Sequence, residues 1–115
     1  MFKKLRTVVY HVTDLEKAKE WYRHITGIDP YFDMPFYVGF DINGCELGLD
    51  PDGSSYTDGN HSYVYWSVDA IHDCVSKLLE GGAKMLQPVN EVGDNIKVAA
   101  VLDPWGNAVG LIEEG

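Results

Sequence analysis

The sequence predicts an α+β fold made of two tandem copies of one strand-helix-strand-strand-strand (βαβββ) module. A cap-and-stop pair, Asp14 and Gly27, returns 55 residues later as Asp69 and Gly82. Asp41, Gly44, Gly48 and Leu49 return at a shift of 62 as Asp103, Gly106, Gly110 and Leu111, so the difference between the two shifts is absorbed in loops. The strand-like and helix-like patterns follow one another in the same order in both halves. Self-similarity of this kind indicates a repeated supersecondary unit. One domain over 1-115 is expected, with module one at about 1-52, a linker at about 53-60 and module two at about 61-115.

The elements follow in order. From Leu5 to Val12 the β-branched residues Thr7, Val8, Val9 and Val12 surround Tyr10, which predicts a strand. Asp14 caps a helix over Leu15 to Thr26, where Leu15, Ala18, Trp21, Tyr22 and Ile25 form one apolar stripe. Gly27 stops it, because glycine accepts the left-handed conformation common just past a helix. After the breaks at Pro30 and Pro35, Phe36 to Ile42 reads as a strand, Asn43-Gly44 as a hairpin turn and Cys45 to Leu49 as the returning strand. Asp50 to Asn60 has the Pro, Gly and Ser content of a linker.

In the second half, Ser62 to Val68 reads as a strand and Asp69 as the cap of a helix over Ala70 to Glu80. Its stripe is Ile71, Val75, Leu78 and Leu79, and it stops at Gly81-Gly82. Three strands follow, near Lys84 to Pro88, Ile96 to Leu102 and Ala108 to Ile112, with turns at Gly93-Asp94-Asn95 and at Asp103 to Asn107.

At 115 residues, with 45% hydrophobic and 23% charged residues, the chain has the size and composition of one folded, soluble domain. Its 18 acidic against 9 basic residues give a formal charge of -9, which opposes binding to nucleic acid or to an anionic bilayer surface. Cys45 and Cys74 have neither zinc-ligand nor disulfide-framework spacing, and no apolar run reaches signal-peptide or membrane-span length, so a cytoplasmic protein is expected.

The run Val12-Thr13-Asp14-Leu15-Glu16-Lys17-Ala18-Lys19-Glu20-Trp21-Tyr22, followed by Gly27, resembles the first-helix pattern of the vicinal oxygen chelate superfamily, the glyoxalase, bleomycin resistance protein and extradiol dioxygenase type. Asp103-Pro104-Trp105-Gly106-Asn107 through Leu111-Ile112-Glu113 is similar to the last hairpin and strand of that family. The resemblance implies a curved, cup-shaped mixed sheet with its helices outside, and frequent homodimers. In metal-using members it implies ligands from the first and last strands of each module. Those ligands hold a divalent ion that acts as a Lewis acid.

Carried over position by position, the resemblance puts Thr7, Tyr63, Gly48 and Gly110 where ligands are expected, with Ser62 replacing Tyr63 if the count slips by one. Glycine has no side-chain donor, and divalent sites of this kind need about three His, Cys, Asp or Glu ligands, so neither a metal nor another cofactor is expected. A shifted site using His11, Glu46 and His61 is the alternative; strand rise displaces His11 and Glu46 from the expected position, Glu46 by about 6 to 7 Å. His24 and His72 lie on helices, where a solvated or otherwise satisfied imidazole is the ordinary reading.

Period-two alternation turns Thr7, Val9, His11, Glu46, Gly48, Tyr63, Tyr65, Ser67, Ala108, Gly110 and Ile112 to one side. The two glycines either leave room for a ligand or accommodate a neighbouring aromatic ring. Tyr37, Tyr63 and Tyr65, together with Glu46, either line a pocket for a flat or cationic organic molecule or pack in the core. The expected function is therefore metal-free binding of a small organic ligand, of the kind used in antibiotic sequestration. The alternative is a lyase, isomerase or dioxygenase using a displaced divalent metal or His11, near Glu46, as general base. A module acting through protein contacts is the third.

Overall fold

A computed structural model describes residues 1, 3-52 and 64-115, so the predicted linker at 53-60 and His61, Ser62 and Tyr63 lie outside the described residues. The chain divides into two compact units, Met1–Asp58 and Gly59–Gly115. Each is a four-stranded mixed sheet carrying one helix.

In the first unit, β1 (Thr7–His11), β2 (Phe32–Met34), β3 (Tyr37–Ile42) and β4 (Cys45–Asp50) assemble in the order β1-β4-β3-β2, with α1 (Leu15–Thr26) between β1 and β2 in sequence. The second unit repeats this with β5 (Tyr65–Ser67), α2 (Ile71–Glu80), β6 (Lys84–Gly93), β7 (Ile96–Leu102) and β8 (Ala108–Glu113), ordered β5-β8-β7-β6. In both units the first and last strands pair in parallel and the other pairs are antiparallel. The predicted βαβββ repeat is thus present in the topology itself.

Alternation decides which face of each sheet meets its helix. Val38 and Phe40 of β3 and Leu47 and Leu49 of β4 are buried on the side where α1 packs with Ala18 and Tyr22. The Tyr22 ring stacks on Tyr10 of β1 at 5.9 Å. Burying side chains such as Phe40 and Leu49 contributes roughly 1.5 to 3 kcal/mol each. In the second unit Ala99 and Val101 of β7 and Val109 and Leu111 of β8 are buried, along with Ile71, Val75 and Leu78 of α2.

The first helix starts and stops where its sequence predicts. Asp14 accepts the Lys17 N–H at 3.1 Å, and Gly27 has φ 72° while its N–H donates to the Arg23 carbonyl. The hairpin turn Asn43-Gly44 has φ of 50° and 93°, the left-handed values that a two-residue turn demands, and Asp41 Oδ1 accepts the Gly44 N–H at 2.8 Å. The matched turn in the second unit is tied more heavily. Asp103, 3% exposed, accepts from the Trp105 and Asn107 backbone N–H groups at 2.9 and 2.8 Å and from Asn107 Nδ2.

Three expectations need correction. Asp69 does not cap α2: the N-cap residue is Ala70, which has no capping side chain, and the Ile71 N–H donates instead to Glu113 Oε1 on β8 at 2.8 Å. A strand from the neighbouring sheet thus supplies what the preceding aspartate was expected to supply. The strand expected to end at Pro88 runs on to Gly93, because β6 is the edge strand and shifts its register around the proline, where no ladder bond is needed from a ring nitrogen. Finally, Phe32–Met34 is a strand between two prolines that looked like punctuation alone. Among the described residues no helix is long and apolar enough to cross a membrane.

Candidate functional site

The face of the first sheet turned away from α1 carries the concentration of polar and aromatic groups. The ladder sets Thr7 opposite Glu46 and Val9 opposite Gly48, while Gly48 lies opposite Gly39 on β3. The residue at the first carried-over ligand position, Thr7, thus stands beside Glu46, and the one at the second, Gly48, stands between Val9 and Gly39.

Gly39 and Gly48 side by side make a trough without side chains, and the protein fills it itself. A Cβ at Gly48 would overlap the Tyr37 hydroxyl and come within 2.6 Å of Tyr37 Cζ. One at Gly39 would meet the Glu46 carboxylate and lie 3.2 Å from Tyr31 Cε1. Neither glycine has a left-handed φ, so space rather than backbone freedom is what requires glycine there. Of the two uses considered for Gly48, accommodation of a neighbouring aromatic is the one observed.

Glu46 is the centre of the arrangement, with 11% of its side chain exposed. Its Oε1 accepts from Thr7 Oγ1 at 3.0 Å, from Tyr37 Oη at 3.0 Å and from Arg6 Nη1 at 3.4 Å, while Oε2 accepts a short hydrogen bond from Tyr31 Oη. Burial by itself would raise the pKa of this carboxyl. The hydrogen bonds from Tyr31, Tyr37 and Thr7, with the charge of Arg6, outweigh burial and hold it below the ordinary glutamate value. The tyrosines respond in the opposite sense. Burial, then the bond to Glu46, pushes Tyr37 up to about 12, and the bond to Glu46 followed by burial raises Tyr31. At neutral pH the cluster is one carboxylate anion and two protonated phenols.

An open concavity of about 590 Å³ lies over this cluster, lined by Arg6, Thr7, Tyr31, Phe32, Phe36, Tyr37, Glu46 and Asp50. Its aromatic wall is continuous, since Phe32 meets Phe36 edge-on at 6.0 Å and Tyr37 at 6.1 Å. Phe36 and Tyr31 are 66% and 59% exposed, and such exposed rings are available to a ligand without any rearrangement of the core.

Of the predicted site residues, Thr7, Tyr37, Glu46 and Gly48 come together here. His11 does not: its ladder partner is Asp50, four residues along β4 from Glu46, which is about 13 Å at strand rise. The His11-Glu46 acid-base pair is therefore not assembled. In the second unit Tyr65 lies directly opposite Gly110, and a Cβ at Gly110 would overlap the Val64 carbonyl oxygen and come within 2.8 Å of Tyr65 Cδ1. Tyr63 lies outside the described residues. Tyr31, Gly39, Phe32, Phe36 and Arg6 were not anticipated. Alternation from Tyr37 would have found Gly39, whereas Tyr31 and Phe32 were hidden by the prolines on either side.

These donors do not fit a divalent metal. Gly48 has no side chain, Thr7 spends its hydroxyl on Glu46, and both Glu46 oxygens are engaged. Among the described residues no three His, Cys, Asp or Glu side chains form a group that could hold a metal ion.

A profile of the Glyoxalase/Bleomycin resistance protein/Dioxygenase superfamily matches residues 4–111. The protein named "Putative glyoxylase CFP32" of Mycobacterium bovis is 29% identical over 108 residues, which cover 86% of this chain and 41% of that protein. The chain thus spans about two fifths of the length of this relative. Among solved structures, a glyoxalase/bleomycin resistance protein/dioxygenase family enzyme from Burkholderia phytofirmans PsJN superposes with a TM-score of 0.80 at 18% identity, over 96% of this chain and 98% of that one. Lactoylglutathione lyase from Agrobacterium tumefaciens superposes with a TM-score of 0.71 at 19% identity, over 96% and 92% of the respective chains. With the profile matched over nearly the whole sequence and the duplicated module seen in the strand order, the chain belongs to the glyoxalase/bleomycin resistance protein/dioxygenase superfamily.

Proposed function

We propose that this chain binds a small, planar, cationic organic molecule on the open sheet face of its first unit, without a metal, and that its use is sequestration rather than turnover. The observation that carries this reading is an ionised carboxylate, Glu46, at the floor of a concavity walled by Tyr31, Phe32, Phe36 and Tyr37. Rings of this kind attract a cation through their negative faces, by about 0.5 to 2 kcal/mol per well-placed contact, and also offer a flat ligand a stacking surface. Asp50 at the rim and the overall charge of -9 favour approach of a positive ligand. Glu46 supports binding better than proton transfer, because a lowered pKa keeps it charged and makes it a weak base.

The test is calorimetric titration with proflavine, a planar cation, against acridine-9-carboxylate, a planar anion, for the wild type, Glu46→Gln and Phe36→Ala. Expected is saturable binding of the cation in preference to the anion, weakened about tenfold or more by Glu46→Gln and severalfold by Phe36→Ala, for about 1 kcal/mol or more per lost contact. Phe36 is mostly exposed, so its variant keeps the test valid if Glu46→Gln folds poorly. Equal binding of the two ligands, or cation binding indifferent to both substitutions, would overturn the proposal. So would divalent metal that survives dialysis and supports turnover.

A further inference from the structure

Arg6 has a place in this cluster that binding alone does not explain. Its backbone is fixed at the start of the parallel ladder, where its carbonyl accepts the Glu46 N–H at 2.7 Å. From there the side chain turns back over the sheet face, donating to Thr7 Oγ1 at 2.7 Å and to Glu46 Oε1 at 3.4 Å. Among the described residues four side chains donate to Glu46, and of these Arg6 is the only cation and, with Tyr31, one of the two that are mostly exposed. Its side chain is 71% exposed, against 11% for its carboxylate partner. It also lines both the main concavity and a smaller one, of about 340 Å³, that shares Tyr31 and Glu46 and runs toward Asp41 and Gly44 at the hairpin.

We infer that Arg6 is a built-in competitor for the Glu46 site: its guanidinium stands where a ligand's cationic group binds, and the ligand enters by displacing it. The inference rests on the proposed reading of the site and adds the ligand chemistry it selects, a guanidinium, amidinium or similar hydrogen-bonding cation. The three hydroxyl donors are neutral and hold the carboxylate in place. The exposed partner that supplies charge is the one a ligand can replace without unmaking the cluster. Displacement is cheap, since an exposed ion pair of this kind holds weakly against water. The opposite arrangement, with Arg6 as an anchor for an anionic ligand, predicts the reverse effect of its removal.

Methylguanidinium reproduces the Arg6 head group and is therefore the probe. Its binding to wild type and to Arg6→Ala would be followed by the NMR signals of the Tyr31 and Tyr37 rings, with acetate as the anionic control. Expected is saturable movement of both ring signals in Arg6→Ala, with affinity about two- to fivefold above wild type, the range an exposed pair supports. Equal or weaker methylguanidinium binding in Arg6→Ala overturns the inference, as does acetate binding that the substitution abolishes. Failure of the wider reading looks different: proflavine fails to bind wild type while methylguanidinium still distinguishes the two proteins. Arg6 is exposed, so the variant should keep its fold, and an unchanged unfolding temperature would establish that.

Discussion

Replacing Gly48 by alanine tests the central claim about the site, that this glycine is a seat for Tyr37. The backbone there is not left-handed, so alanine meets no conformational penalty, and its lower unfolded-state entropy would by itself stabilise the fold by about 0.4 to 1 kcal/mol. Against this, the new Cβ overlaps the Tyr37 hydroxyl and lies 2.6 Å from Cζ and 3.2 Å from Cε1, so the ring must leave. Its departure breaks a hydrogen bond to an ionised carboxylate, worth about 1.5 to 3 kcal/mol. The net expectation is a loss of about 1 to 2 kcal/mol, or roughly 4 to 8 °C in Tm for a chain of this size. Urea unfolding of a double-mutant cycle isolates the cause. In a Tyr37→Ala background the same Gly48→Ala change should cost nothing or stabilise slightly. A cost equal in both backgrounds would refute the reasoning, because the clash would then lie elsewhere.

Glu46→Gln should destabilise the first unit by about 1 to 3 kcal/mol at pH 7, since an amide turns an NH2 toward groups that donate. The folded pKa of Glu46 is depressed, so the stability its charge contributes is present above the ordinary glutamate value of about 4.3 and lost as pH falls through the lower folded value. Unfolding free energies of wild type and variant should therefore differ steadily from pH 7 to 5 and converge in acid; a constant gap at pH 3 would count against an ionised Glu46. For the second helix, Glu113→Ala should cost about 1 kcal/mol and Asp69→Ala close to nothing, while Asp14→Ala in the first helix costs about 1 kcal/mol. Thermal unfolding of the three variants checks this, and a large effect at Asp69 alone would show that the cap is assigned to the wrong residue.

Repetition made the fold legible. Individual strands in this chain are short and their alternation is weak, but a strand pattern that recurs behind the same cap, stop and turn residues carries information that no single strand does. Where local chemistry alone decided an element, it was read correctly: Asp14 and Gly27 bound α1, and Asn43-Gly44 makes the hairpin. What escaped was decided by tertiary context. Three residues between Pro30 and Pro35 form a strand because they pair with the edge of β3, and β6 passes Pro88 because among the described residues it is the edge strand of its sheet. The cap of α2 comes from Glu113, 42 residues from the N–H it accepts, and no local pattern could have revealed it.

The site was partly legible, for a reason that also explains what stayed hidden. Alternation puts Glu46 and Gly48 on one face of β4 as it puts Thr7 and Val9 on one face of β1, since that property belongs to each strand separately. Which residues stand opposite one another is a property of the register between β1 and β4, two strands about forty residues apart, and spacing within either strand does not reveal it. Counting from family landmarks gives Thr7 and Gly48 as positions of their separate strands, and only the ladder shows that Thr7 stands opposite Glu46. A shift of one side-chain period changes the chemistry of the position: a threonine facing a glycine is an empty notch, but a threonine facing a glutamate is a hydrogen bond. Once Glu46 is there, the glycines acquire their purpose. A largely buried carboxylate needs donors, Tyr31 and Tyr37 join Thr7 and Arg6 in supplying them, and Gly39 and Gly48 leave the space in which the two rings lie against the sheet. The absence of side chains at these two positions is thus the steric condition for the hydrogen-bonded cluster around Glu46. That is why the proposed function depends on the identity of residue 48 as strongly as on that of residue 46.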